Sequence, residues 1–175
     1  MIGTNAAALL AAAEKARQMG YHTVILTSQL VGEAREAAKM LLSVAKDVRS
    51  RNLLILKPAC VIAGGETTVT VTGKGKGGRN QEMALSFLCE IEKDPASCAG
   101  IHFLAAATDG GDGPTDAAGA FADLDILDKA FDLHLKPGSF LKNNDAYHFF
   151  EKTGDLFKTG PTKTNVCDVQ ICIIR

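Results

Sequence analysis

At 175 residues and 18.5 kDa the chain is long enough to bury a core of its own, so neither disulfides nor a structural metal is required to hold it folded. With 46% hydrophobic and 22% charged residues it excludes wholesale disorder, and 19 Lys and Arg against 20 Asp and Glu exclude a global field that would draw it to nucleic acid or an anionic membrane. Five cysteines without a C-x-x-C pair, and four widely separated histidines, exclude a zinc knuckle and a helical histidine pair and point to a reducing compartment.

The first element is Ala-rich, from residue 6 to 13, and charged directly afterwards at Glu14, Lys15 and Arg17. It is too short to cross a bilayer and reads as a helix, with Thr4 or Asn5 as its cap and Gly20 as its stop. No targeting segment is expected ahead of it. Residues 23–27 predict a parallel strand covered on both faces, and the spacing of Ala34, Ala37, Ala38, Leu41, Leu42, Ala45 and Val48 predicts an amphipathic helix over 33–49. Residues 59–63, 64–66 and 67–72 read as strand, glycine turn and strand, a β-hairpin.

A glycine-rich basic stretch, 73–79, then opens a helix with Met83, Ala84, Phe87, Leu88 and Ile91 on one face. Residues 101–107 form a strand, and 108–116 form an acidic turn-rich loop. Short helices follow near 125–133 and 145–152. The alternation in 166–174 of Cys167, Val169, Ile171 and Ile173 against polar Asp168 and Gln170 predicts a last strand at or near a sheet edge. The expected class is α/β, a layered sandwich around a mixed, mostly parallel sheet containing one β-hairpin. Ligands are expected beyond the carboxyl ends of its strands.

Two loops carry chemistry. Residues 73–78 fit G-x-G-x-x-G, yet a hairpin strand precedes them and no acidic residue stands about twenty positions on, so a dinucleotide site is not supported. No G-K-[ST] closes a Walker loop. What remains is a local anion site in which Lys74, Lys76 and Arg79 flank the amides of Gly77 and Gly78 at a helix N-terminus, against the plainer reading of a solvated mobile turn. Arg79 leads this set, because guanidinium alone offers two parallel hydrogen bonds to one anion. In the second loop Asp109, Asp112 and Asp116 lack EF-hand spacing but suit magnesium bound through one or two carboxylates, water and substrate phosphates. Caps and Asx turns are the competing reading, and Asp109 is the best ligand or base. The third polar loop, 159–165, reads as a surface turn.

The segments Gly64-Gly65-Glu66-Thr67-Thr68-Val69, Gly77-Gly78-Arg79-Asn80-Gln81-Glu82 and 108–119 together resemble the glycerate 2-kinase family, specifically its carboxyl-terminal MOFRL domain. Asn143-Asn144-Asp145-Ala146-Tyr147, Gly160-Pro161-Thr162, Thr164-Asn165-Val166 and Gly32-Glu33-Ala34-Arg35-Glu36 extend the likeness over nearly the whole chain. Lys163 and Cys167 depart from it, standing where the pattern has glycine and a polar residue.

The resemblance implies one α/β domain over 1–175, with 1–58 an opening helix–strand–helix and 59–175 the MOFRL-like part. It implies phosphate transfer from ATP to D-glycerate, giving 2-phosphoglycerate, with Mg2+, in a cleft shared with an amino-terminal domain of the same protein. That domain, which carries the family's active-site lysine, is expected to be missing from this chain, leaving it alone without turnover. Arg79 is the implied catalytic or substrate-binding group, with Glu66 and Asp109 near the cleft. A noncatalytic anion-binding or interaction module is the alternative, and a hydroxypyruvate reductase the third reading. The expected setting is cytoplasmic, or mitochondrial, without nucleic-acid or membrane partners.

Overall fold

The structure, a computed structural model, describes residues 3–175. Thr4 caps the helix Asn5–Gln18 (α1) by accepting the Ala7 amide at 3.2 Å, and Gly20, at φ +89°, turns the chain into the strand His22–Leu30 (β1). The predicted apolar stripe produces the helix Ala34–Arg51 (α2), with every residue of that stripe buried. The strand Ala59–Gly65 (β2), the helix Arg79–Lys93 (α3), the strand Ile101–Ala107 (β3) and the short strand Gly119–Ala122 (β4) follow. Three short helices, Leu124–Asp132 (α4), Pro137–Lys142 (α5) and Ala146–Thr153 (α6), lead to the two-residue strand Leu156–Phe157 (β5) and the last strand, Asp168–Ile174 (β6).

One mixed sheet runs β1-β2-β6-β3-β4-β5, so the α/β class and the mixed sheet are as expected. The expected balance of directions is reversed. Only β1 and β2, joined by the α2 crossover, pair parallel, and the other four pairings are antiparallel. The hairpin over 59–72 is also corrected: β1 and β6 already occupy both edges of β2, so residues 67–72 have no edge of β2 to pair with, and Thr68 forms an isolated bridge with Glu33 instead. The chain leaves β2 at Gly65, whose φ of +147° is glycine territory and where a side chain would strike the Leu30 backbone. Antiparallel neighbours joined by a loop occur instead at β3 and β4.

The last strand is central, between β2 and β3, where an edge position was expected. Its phase is inverted as well. Asp168, Gln170, Cys172 and Ile174 are the fully buried set, while Val169, Ile171 and Ile173 lie half-covered under α1. The first strand, expected to be covered on both faces, is an edge strand and mostly half-buried. Alternate residues of β2 divide the core: Ala59, Val61 and Ala63 join the large cluster under α2 and α3, and Cys60 and Ile62 join Leu9, Ala13 and Ala16 of α1. In the large cluster Phe87 stacks on Phe103 with centroids 4.2 Å apart.

Because β6 is antiparallel to both neighbours, β1, β2 and β3 all point one way. Their carboxyl ends meet the amino end of β6, where Asp168 pairs with Gly65 on one side and Ala107 on the other. No helix of the described residues is long and apolar enough to cross a membrane.

Candidate active site

Asp168, the first residue of β6, is fully buried at this seam. Arg79, the first residue of α3, clamps it with a fork, Nε donating to Oδ2 at 2.6 Å and Nη2 to Oδ1 at 3.1 Å. A third bond runs from Nη1 to Oε1 of Glu66, the residue after β2, at 2.8 Å. The Asp168 bond holds the guanidinium above its ordinary range, while burial pushes the Asp168 carboxyl up and Arg79 pulls it back. Asp168 therefore owes its charge to Arg79, and truncating Arg79 would strand a buried carboxylate.

A cleft of about 690 Å³ opens over this pair. Its walls include Glu66, Thr67, Val69, Val71, Gly77, Gly78, Arg79, Asp109, Gly111 and Asn165. The volume suits a small-molecule site. Among the described residues Arg79 is the only cation in the lining, against Glu66, Glu82, Asp109 and Asp112. Two of those carboxyls are spoken for. Glu82 is buried and accepts from Arg35 Nε at 2.6 Å and Asn144 Nδ2 at 2.8 Å, and Asp112 is a helix cap.

The cap changes the reading of the glycine-rich loop. Asp112, 2% exposed, accepts the backbone amides of Asn80 at 3.1 Å and Gln81 at 2.9 Å, so the α3 N-terminus already holds an internal anion. Its position is fixed further by Gln81, which donates to the Asp112 carbonyl at 3.2 Å and to Thr115 at 2.8 Å. Burial pushes the Asp112 carboxyl up to about 6, opposed by the hydrogen bonds it accepts. The loop amides are taken too: Thr72 and Gly73 donate to Asn144 Oδ1, both at 2.9 Å, Lys74 to Asn143 Oδ1 at 3.1 Å and Lys76 to Asp145 Oδ1 at 2.9 Å. The amides ahead of Gly77 are thus taken by side chains of this chain, while Gly77 and Gly78, the glycines expected to offer theirs, line the cleft. Its glycines serve close packing, since a side chain at Gly73 would strike Asn143 and one at Gly78 would strike Asp112.

Lys74 and Lys76 do not line the cleft, and the Lys76 ammonium lies over the Tyr147 ring, 4.1 Å from its centroid. The three aspartates proposed for one metal diverge. Asp112 is the buried cap, Asp116 accepts from Tyr147 Oη and Lys158 Nζ, both at 2.8 Å, and Asp109 faces the cleft with its carboxylate free of any cation. Among the described residues no group of three or more His, Cys, Asp or Glu is placed to hold a metal.

Asp109 is held by neutral donors, Gly111 N at 3.0 Å and Asn165 Nδ2 at 3.2 Å. The third polar loop, read as a plain turn, therefore supports the site, and Thr162 fastens it to the Thr108 carbonyl at 2.6 Å. Lys163 and Cys167, the two departures from the pattern, sit at φ +60° and +65°, in the left-handed region that favours glycine. Sequence reasoning missed Asp168, and it missed the role of Asn144. A lone aspartate opening an otherwise apolar strand, and an asparagine between two polar neighbours ahead of a helix, were the available signals.

Residues 59–168 match the model of the MOFRL family, a span that contains Glu66, Arg79, Asp109 and Asp168. The chain is 43% identical over 159 residues to the D-glycerate 2-kinase of Thermotoga maritima, covering 91% of this chain and 37% of that protein. To a glycerate kinase of Danio rerio it is 34% identical, covering 99% of this chain and 42% of that one. The crystal structure of a glycerate kinase from Thermotoga maritima superposes with a TM-score of 0.94 at 40% identity, over 99% of this chain and 41% of that chain. The chain spans about two fifths of the length of these relatives.

Proposed function

The chain belongs to the MOFRL family, and from that premise we propose that its cleft binds D-glycerate and serves phosphate transfer from ATP to give 2-phosphoglycerate, a reading supported by relatives named D-glycerate 2-kinase and glycerate kinase. One observation carries this reading. At the carboxyl ends of β2 and β3 a single cation, Arg79, is clamped from behind by buried Asp168 and turned toward a cleft that also holds the unpaired carboxylate of Asp109.

Phosphoryl transfer depends on positioning and charge neutralisation more than on covalent chemistry from the protein. Arg79 would hold the glycerate carboxylate, and Asp109 would orient the attacking hydroxyl or accept its proton. The remaining charge argues for a metal. With one cation in its lining the cleft carries excess negative charge, so ATP phosphates require a counter-cation there. Asp109 fits magnesium held by one carboxylate, water and nucleotide oxygens, and the metal would neutralise phosphate charge when bound.

The part of the relatives' length that this chain does not match would close the open side of the cleft and contribute the rest of the nucleotide site. An odd set of cysteines, all unbridged, suits a reducing compartment such as the cytoplasm.

The test is a chimera in which this chain replaces the matching part of the Thermotoga maritima enzyme. D-glycerate-dependent formation of 2-phosphoglycerate is expected, with Asp109→Asn lowering kcat by roughly 10² or more. A folded chimera without turnover, or one indifferent to Asp109→Asn, would contradict the assignment.

A further inference from the structure

We propose that Glu66 stands in the place of a ligand carboxylate on Arg79, and that a small hydroxycarboxylate enters the cleft by displacing it. This rests on the reading of the cleft as a D-glycerate site and gives Glu66 a different part from the one the motif suggested, that of a competitor of the substrate.

A guanidinium has five N–H donors. Arg79 commits its inner edge to Asp168 through Nε and Nη2, and that carboxylate is wholly buried. Exchange there would leave a charge uncompensated in the interior. The outer edge differs. Only Nη1 is engaged, by Glu66 Oε1 at 2.8 Å, so one Nη1 hydrogen and one Nη2 hydrogen remain open. Glu66 is 58% exposed in its side chain, and its other oxygen has only the Cys167 thiol, at 3.7 Å. A half-exposed single-bonded pair of this kind contributes little.

Arg79 therefore holds one permanent carboxylate and one exchangeable carboxylate, and the exchangeable one lies on the cleft side. A free carboxylate that bridges both outer nitrogens makes two bonds where Glu66 makes one, so it prevails at modest concentration. A neutral polyol cannot. While bound, the incoming anion leaves Glu66 as a nearby like charge, which lowers affinity and selects for ligands that also use Asp109 or the polar loops.

The experiment is an NMR titration of this chain with D-glycerate, glycerol and inorganic phosphate, read on the Glu66 side-chain carboxyl carbon and the Arg79 Nε–H. D-glycerate should move the Glu66 signal toward that of a solvated carboxylate while the Arg79 Nε–H, held by Asp168, keeps its protection, and glycerol should move neither. Glu66→Gln, an exposed substitution that leaves the core intact, should tighten D-glycerate by roughly 3- to 10-fold. Equal affinity in the two proteins, or weaker binding by Glu66→Gln, would overturn the role given to Glu66 and leave the glycerate site standing. Displacement by phosphate alone would overturn the carboxylate class. D-glycerate binding by neither protein would overturn both the displacement and the reading it rests on.

Discussion

Asp112 is 2% exposed, and its carboxyl is pushed by burial to about 6 while Asn80 and Gln81 donate to it. In the folded chain it keeps its proton to a higher pH than in the unfolded chain. Its contribution to stability is then complete below the ordinary carboxylate value of 3.8 and is lost as pH rises through about 6. Asp112→Asn keeps an acceptor for the α3 amides but cannot ionise. Urea unfolding between pH 4 and 7 should show the wild type losing roughly 2 kcal/mol relative to the variant as pH rises. Parallel curves would place the titration elsewhere. The same residue marks the limit of motif reading. Gly78-Arg79-Asn80-Gln81 and the aspartate loop were visible as two sequence signals, but that one caps the helix opened by the other depends on their meeting in space. Arg79, Glu66 and Asp109 were legible because their residue types carry chemistry. Asp168 was not, because its partner lies 89 residues away.

Residues 73–79 were read as an anion site or a mobile turn, and the amides of Thr72, Gly73, Lys74 and Lys76 bond to the side chains of Asn143, Asn144 and Asp145. Asn144, at φ +51°, accepts two of them and donates to Glu82, which in turn holds Arg35. This network joins α2, α3 and the loop before α6. Asn144→Ala should expose the Thr72 and Gly73 amides to exchange at least about 10-fold faster without ligand and cost about 1–3 kcal/mol, because buried Glu82 loses a donor. Hydrogen exchange that is fast already in the wild type would restore the mobile loop. Helices α1 and α2 and strand β3 were readable from periodicity and caps because their signals are local. The sheet was not. Whether a strand lies at the edge or the centre, and which of its faces is deeper, is decided by partners far along the chain. That is why β6 came out central and inverted in phase.

At the scale of the molecule, three strands pointing one way and a fourth entering between them bring Glu66, Arg79, Asp109 and Asp168 to one end of the sheet, beyond the carboxyl ends where α/β folds bind ligands. The near-zero net charge of the whole chain hides this local concentration of carboxylates around one arginine. We propose that Arg79 acts by geometry, as a fork held by Asp168, and not as a point charge. Steady-state kinetics of Arg79→Lys in the chimeric kinase tests it most directly, since lysine keeps the charge and spares buried Asp168 from isolation but loses the planar pair of donors. A fall in kcat/KM for D-glycerate of roughly 10² to 10³ is expected, with the KM for ATP changed only a few-fold. A kcat/KM for D-glycerate near that of the unmodified chimera would show that charge alone suffices.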